Sequence, residues 1–428
     1  MKKFVAVSAS LIVAAGALAP LTNLNVEAAS KPTTITFWHA MTGNNEKVLE
    51  KLVKKFNNSQ DKYVVKPTAQ GDYSTLKQKF LAAAKSKKLP VVAQSAYTSV
   101  PDYVKNNLIA NLNKYVKQDN NKGVKAINKM YKGFRTTAKY QGKYYTVPFA
   151  KSLRIMLYNQ DILDKYNLSV PKTWNDLQAD AKILSKDGIA AVGFDQSFGQ
   201  ELQNLAKSNG VNFVDGSSNK FKVHFNDKKV IEPADLIMNM INNKEALTAG
   251  ADVYGNNNFA SGKTLVYFAS SSGLPVISAS MPENMNWKTA VVPSYKDKIN
   301  TLIGGSDLIV SNQASDKQKT GAWKFMQFLI SKKSTTEWAK GTGYLPLTSK
   351  AVETTEYQEF LNANPNWKAS SDSLKYAFSS PIYPNADAIW NIGIDAVDSM
   401  LSQKVEPKVA LDKIQKEAKK LIKEASEN

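Results

Sequence analysis

Hydrophobic positions along this chain switch repeatedly between two spacings. Thr34-Ile35-Thr36-Phe37-Trp38 alternates as a short strand does, and Val48, Leu49, Leu52, Val53 and Phe56 then recur three and four apart, as on one helix face. Asn44 or Asn45 stands where a polar side chain would cap that helix. Tyr63-Val64-Val65 predicts a second strand and Leu89-Pro90-Val91-Val92-Ala93 a buried third. Between them, Leu76, Phe80, Leu81 and Ala84 place a helix over Tyr73 to Ala84. This alternation predicts an α/β layer with a mainly parallel sheet. Ligands of such sheets lie beyond the carboxyl ends of the strands, so the loops at 38–43, 71–74 and 94–99 are expected to share one rim.

The pattern then repeats. Tyr144 to Phe149 is extended and Arg154 to Asn159 strand-like, and a helix opens at Thr173-Trp174-Asn175-Asp176-Leu177 and runs to about Ser185. Leu265 to Phe268 forms an apolar strand ending in Ala269-Ser270-Ser271-Ser272-Gly273. A further strand runs from Leu302-Ile303 through Asp307-Leu308-Ile309-Val310. Amphipathic helices are expected at Thr320 to Ile330, Ala386 to Leu401 and Val409 to Ala425.

The first residues break this picture. Lys2 and Lys3 precede an apolar run from Phe4 to about Leu18, and Val26-Glu27-Ala28 is a small-residue cleavage site, so residues 1–28 read as a secretion signal. The run is too short and too interrupted by Ser8, Ser10 and Gly16 to span a bilayer comfortably. About 400 remaining residues call for more than one packing unit. No cysteine occurs, which removes disulfides, thiolate metal sites, cysteine nucleophiles and a lipid-modified N-terminal cysteine. The net charge is +19, or +18 once Lys2, Lys3 and Glu27 are removed, and nearly all of it is lysine. An exported protein of that charge is drawn to anionic wall polymers, or is simply well solvated. Nucleic acid fits poorly, because the lysines are dispersed and Arg135 and Arg154 are the only arginines.

Catalytic signals are sparse. His39 and His224 are the only histidines, so no paired-histidine zinc motif exists, and no G-x-S-x-G elbow appears. A two-carboxylate glycosidase stays open, since its geometry is not written in spacing. No metal or cofactor is expected. Seven Trp and eighteen Tyr offer flat apolar faces with polar tips, suited to sugars and polyols. Tyr73, Tyr97 and Tyr344 draw notice because they lie in Gly- or Ser-containing loops.

In order along the chain, Phe37-Trp38-His39-Ala40-Met41, Gly71-Asp72-Tyr73, Pro148-Phe149 with Ser152 and Tyr158-Asn159, Pro171-Lys172-Thr173-Trp174, Ala269-Ser270-Ser271, Ile303-Gly304-Gly305 and Gly341-Thr342-Gly343-Tyr344-Leu345-Pro346 form a series. That series resembles the family-1 extracellular solute-binding proteins, and most closely the glycerol-3-phosphate-binding type, over residues 33 to 425. The resemblance implies an α/β, two-lobed periplasmic-binding-protein-like fold, each lobe a mainly parallel sheet flanked by helices, with hinge crossings between the lobes. One lobe would hold 29–147 plus about 300–344, the other 148–299 plus about 345–428. It implies a non-enzymatic, monomeric carrier that hands a carbohydrate-type solute to an ABC permease. Position by position it assigns ligand contacts to Tyr73, Ser152, Ser270, Gly305 and Tyr344.

Two positions depart from that pattern. Tyr97 stands where an acidic residue is expected and Trp390 where an arginine is, which makes the cleft more aromatic and less suited to phosphate. Arg154, two residues after Ser152 and on the same strand face, is either a contact for an anionic group or a structural ion pair. An adhesive wall protein or a carbohydrate-active hydrolase is the rival reading.

Overall fold

The computed structural model describes residues 31–217 and 220–427; the signal-like segment and its cleavage site lie outside the described residues. A ten-stranded mixed sheet runs through the molecule. Its main path is Ala246–Thr248, Ala190–Phe194, Thr264–Ser270, Val147–Asn159, Thr301–Val310, Val92–Ser95, Thr33–His39, Tyr63–Ala69. At one end, Thr33–His39 lies between two parallel partners, Tyr63–Ala69 and Val92–Ser95. At the other, Ala190–Phe194 lies between parallel partners Ala246–Thr248 and Thr264–Ser270. The two parallel halves meet on the antiparallel pair Val147–Asn159 and Thr301–Val310.

Those two central strands are what joins the halves. Each half has its own apolar core. One gathers Ile35, Phe37, Leu49, Val92, Phe149 and Trp323 together with Leu345, Leu347 and Leu374. The other gathers Met156, Leu177, Val192, Leu265, Ile389 and Met400. Val147–Asn159 is buried along its whole length because it carries residues of both. The two separate strand passages expected at Tyr144–Phe149 and Arg154–Asn159 are therefore continuous.

Local chemistry sets several helix starts. Thr173 caps Trp174–Leu184 by a reciprocal box with Asp176, and Ser315 does the same with Gln318 for Asp316–Leu329, one turn before the apolar pattern at Thr320 begins. The expected cap at Asn44 or Asn45 is replaced: Gly43–Asn58 begins after Thr42, and Asn44 Nδ2 instead donates to the Gly341 carbonyl at 2.6 Å. No helix among the described residues is long and apolar enough to cross a membrane.

Candidate functional site

The loops at the carboxyl ends of the first three strands do share a rim. Ala40 N–H donates to Gln94 Oε1 at 2.8 Å, and Gln70 N–H to the His39 carbonyl at 2.9 Å. From this rim Tyr73 enters as the first residue of a helix whose N-cap, Asp72, accepts from Thr75 N–H at 2.7 Å. The Tyr73 hydroxyl donates to Ser306 Oγ at 3.2 Å and lies 3.2 Å from the Tyr344 hydroxyl. Tyr344 also bonds Ser272, whose Oγ is 2.9 Å from Ser270 Oγ. Ser306, Tyr73, Tyr344, Ser272 and Ser270 thus form one hydroxyl chain that passes from the first half of the molecule to the second.

Two glycines make this approach feasible. Gly343 ends Lys332–Thr342 in the left-handed region at φ 71°, and a Cβ there would meet the Ser271 carbonyl at 2.5 Å. Gly305 has φ 93°, and its Cβ would fall 1.9 Å from the Ala150 carbonyl. Tyr344 itself is held face to face with Trp338 at 5.5 Å, and Trp338 with Phe149 at 5.0 Å. Ser152 is buried in the ladder opposite Gly304. Burial pushes the Tyr73 hydroxyl well above its ordinary range, and proximity to Tyr344 adds to this, so the chain of hydroxyls stays protonated.

The other three predicted residues, Tyr97, Arg154 and Trp390, line a cavity of about 520 Å³ that Gly304 also borders. Tyr97 is buried, its hydroxyl pushed up to about 12 by that burial, with the Lys151 ammonium 5.4 Å from its ring centre. Trp390 is 44% exposed at the mouth, beside Tyr254 at 64%. Arg154, offered above as a contact for an anion, is instead clasped. Its Nε donates to Glu201 at 2.7 Å, Nη1 to Asp195 at 2.9 Å and Nη2 to the Phe268 carbonyl at 2.7 Å. Two carboxylates against one guanidinium leave the cluster no net positive charge to offer an anionic group, and burial pushes the Glu201 carboxyl up. Glu201 Oε2 is buried in this cluster and has no hydrogen-bond partner.

Three functional groups escaped sequence reasoning. Asp195 and Glu201 are separated by six positions in a stretch without motif character, and only the fold sets both against Arg154. Asp387, in the first turn of Ala386–Ser402, also borders the cavity and bonds Lys77 and Thr98, each at 2.6 Å, and Ser99. An acidic residue in a first helical turn was a visible signal, but it reads as ordinary dipole complementarity.

The profile described as "bacterial extracellular solute-binding protein" matches residues 51–369. The chain belongs to that family. This solute-binding protein is 28% identical over 450 residues to the sn-glycerol-3-phosphate-binding periplasmic protein UgpB of Agrobacterium fabrum, covering 97% of this chain and 98% of the relative. It is 26% identical over 408 residues to the protein of the same name from Escherichia coli K12, covering 89% and 90%. Two solved structures share its fold at a TM-score of 0.79. They are the cyclic α-maltosyl-1,6-maltose binding protein of Arthrobacter globiformis, at 20% identity and covering 92% and 100% of the two chains, and UgpB of Mycobacterium tuberculosis in complex with glycerophosphocholine, at 21% identity and covering 91% and 98%.

Proposed function

We propose that this ABC-importer substrate-binding protein carries a neutral, hydroxyl-rich solute, an oligosaccharide or polyol, rather than glycerol 3-phosphate. One observation carries the reading. Among the described residues that line the cavity, the one Arg or Lys is Arg154, and it is neutralised by Asp195 and Glu201. A phosphate group would bring negative charge to a cavity that offers no free cation among its described residues, whereas neutral hydroxyls bring none. Trp390, Tyr254 and Tyr97 add faces on which a pyranose stacks.

The lobes divide within the two central strands, near Leu153 and Ile303, with a third passage between Leu374 and Tyr383. Leu345, Leu347 and Leu374 share the first core and Tyr383 the second, which argues against a crossing near 345. Solute closes the lobes by binding the closed form more tightly, and the closed surface is what the permease reads. The protein acts as a monomer, carries its solute without converting it, and is held near anionic wall polymers by its positive charge.

Titration calorimetry against maltose, longer maltosaccharides and sn-glycerol 3-phosphate tests the ligand class. Neutral saccharide is expected to bind at least about tenfold more tightly than the phosphate ester, and Trp390→Ala to weaken it by about tenfold, a stacking loss of about 1.4 kcal/mol. Tighter binding of glycerol 3-phosphate than of any neutral saccharide or polyol would refute the proposal.

A further inference from the structure

The cavity continues well past the polar cluster. Asp387, Trp390, Gly393 and Ile394 line it along the helix Ala386–Ser402 for about 10 Å at 1.5 Å per residue, and Val397 and Met400 close its inner end from the core. Its character changes along the way. The end at Asp387 meets the Arg154 cluster and Ser380, whereas from Gly393 onward the helix presents only apolar groups, faced by Phe225, Leu411 and Ile414. A saccharide ring placed there would bury hydroxyls without partners.

Gly393 marks this stretch as space kept open. A Cβ built there meets nothing within 4 Å. Glycine in a helix interior is about 1 kcal/mol less favourable than alanine, and nothing in the packing demands it. The mouth is apolar as well: Val253, Tyr254, Trp390 and Ile394 are all exposed there. Val253 holds φ 66°, a strained value for a β-branched residue, which places Val253 and Tyr254 at the opening.

We infer that the solute carries an apolar substituent, a short alkyl or aryl group, lodged beside Gly393 and Ile394 of Ala386–Ser402 and against the wall closed by Val397 and Met400. This rests on the hydroxyl-rich reading for the other end of the ligand. Each buried methylene contributes about fourfold in affinity, from about 0.8 kcal/mol.

Calorimetry with maltose and butyl maltoside, below the concentration at which the latter forms micelles, gives the first test. The wild-type protein is expected to bind butyl maltoside at least about tenfold more tightly than maltose, with the ratio falling towards one in Gly393→Leu. Equal affinities in the wild type, or a ratio that survives in Gly393→Leu, overturns the inference. A second measurement uses hexanol alone, followed by the methyl resonance of Met400. A saturable shift in the wild type that is absent in Gly393→Leu supports the apolar end, and no shift in the wild type overturns it. If neither maltoside binds but hexanol moves Met400 in this way, the saccharide reading fails and the apolar end stands.

Discussion

Lys151→Met is expected to lower the free energy of unfolding by about 3–5 kcal/mol, the range for removing one partner of a buried ion pair. Lys151 and Asp307 are paired with both side chains fully buried, where the two central strands run antiparallel. Leaving Asp307 charged without its partner forfeits the Coulombic gain and keeps the cost of desolvation. Thr146 Oγ1 still donates to Asp307 Oδ2 at 2.8 Å, but a neutral hydroxyl does not balance the charge. The double variant Lys151→Met/Asp307→Leu is therefore expected to recover most of the loss, since apolar groups of similar volume replace a buried pair at little cost. Urea unfolding of the wild type, both single variants and the double variant forms a complete cycle. A single variant within about 1 kcal/mol of the wild type would show that water reaches the pair and that it does not lock the crossing.

That pair also marks where the sequence was legible and where it was not. Lys151 and Asp307 each interrupt an apolar strand, and a lone charge in such a run is a readable sign of a buried partner. Which lysine meets which aspartate is not readable, because the two lie 156 positions apart and only the register of the central strands joins them. The elements themselves came through because periodicity and capping are local: the helix after Thr173 and the strand at Leu265 lie where spacing puts them. The site was half visible. Tyr73 and Tyr344 stood out as tyrosines in Gly- or Ser-containing loops and Ser270 only through the family resemblance, and the three join one hydroxyl chain. Arg154 announced a cation, but the carboxylates that cancel it come from other elements. The apolar end of the cavity was hidden in plain amphipathicity, since a helix face that borders a cavity and one that packs on a core carry the same pattern.

Asp387→Asn is expected to weaken solute binding by about 30-fold, or about 2 kcal/mol, through loss of charge-assisted hydrogen bonds. Asp387 belongs to a helix of the second core, whereas Lys77, Thr98 and Ser99 belong to the first half, so these bonds exist only when the halves are together. Burial alone would push the Asp387 carboxyl up. The bonds from Lys77, Ser99 and Thr98 outweigh it and hold the group below the ordinary carboxylate range. The closed form therefore binds fewer protons here than the open one, and closure gains from Asp387 at neutral pH. That gain is lost as pH falls through the ordinary carboxylate value of about 3.8 towards the lowered one. Asp102, which accepts from Asn385 N–H nearby, is pushed the other way by burial and releases its strain on protonation, so the two groups oppose each other. Comparing wild type with Asp387→Asn removes the Asp387 contribution together with the upward push that its charge gives Asp102. The affinity gap between the two proteins should be full at pH 7 and shrink below about pH 4. Small-angle scattering without solute distinguishes a latch from a direct ligand contact: a latch predicts a more extended Asp387→Asn at pH 7. Identical solute-free profiles would sink the latch and leave Asp387 a contact of the cavity alone.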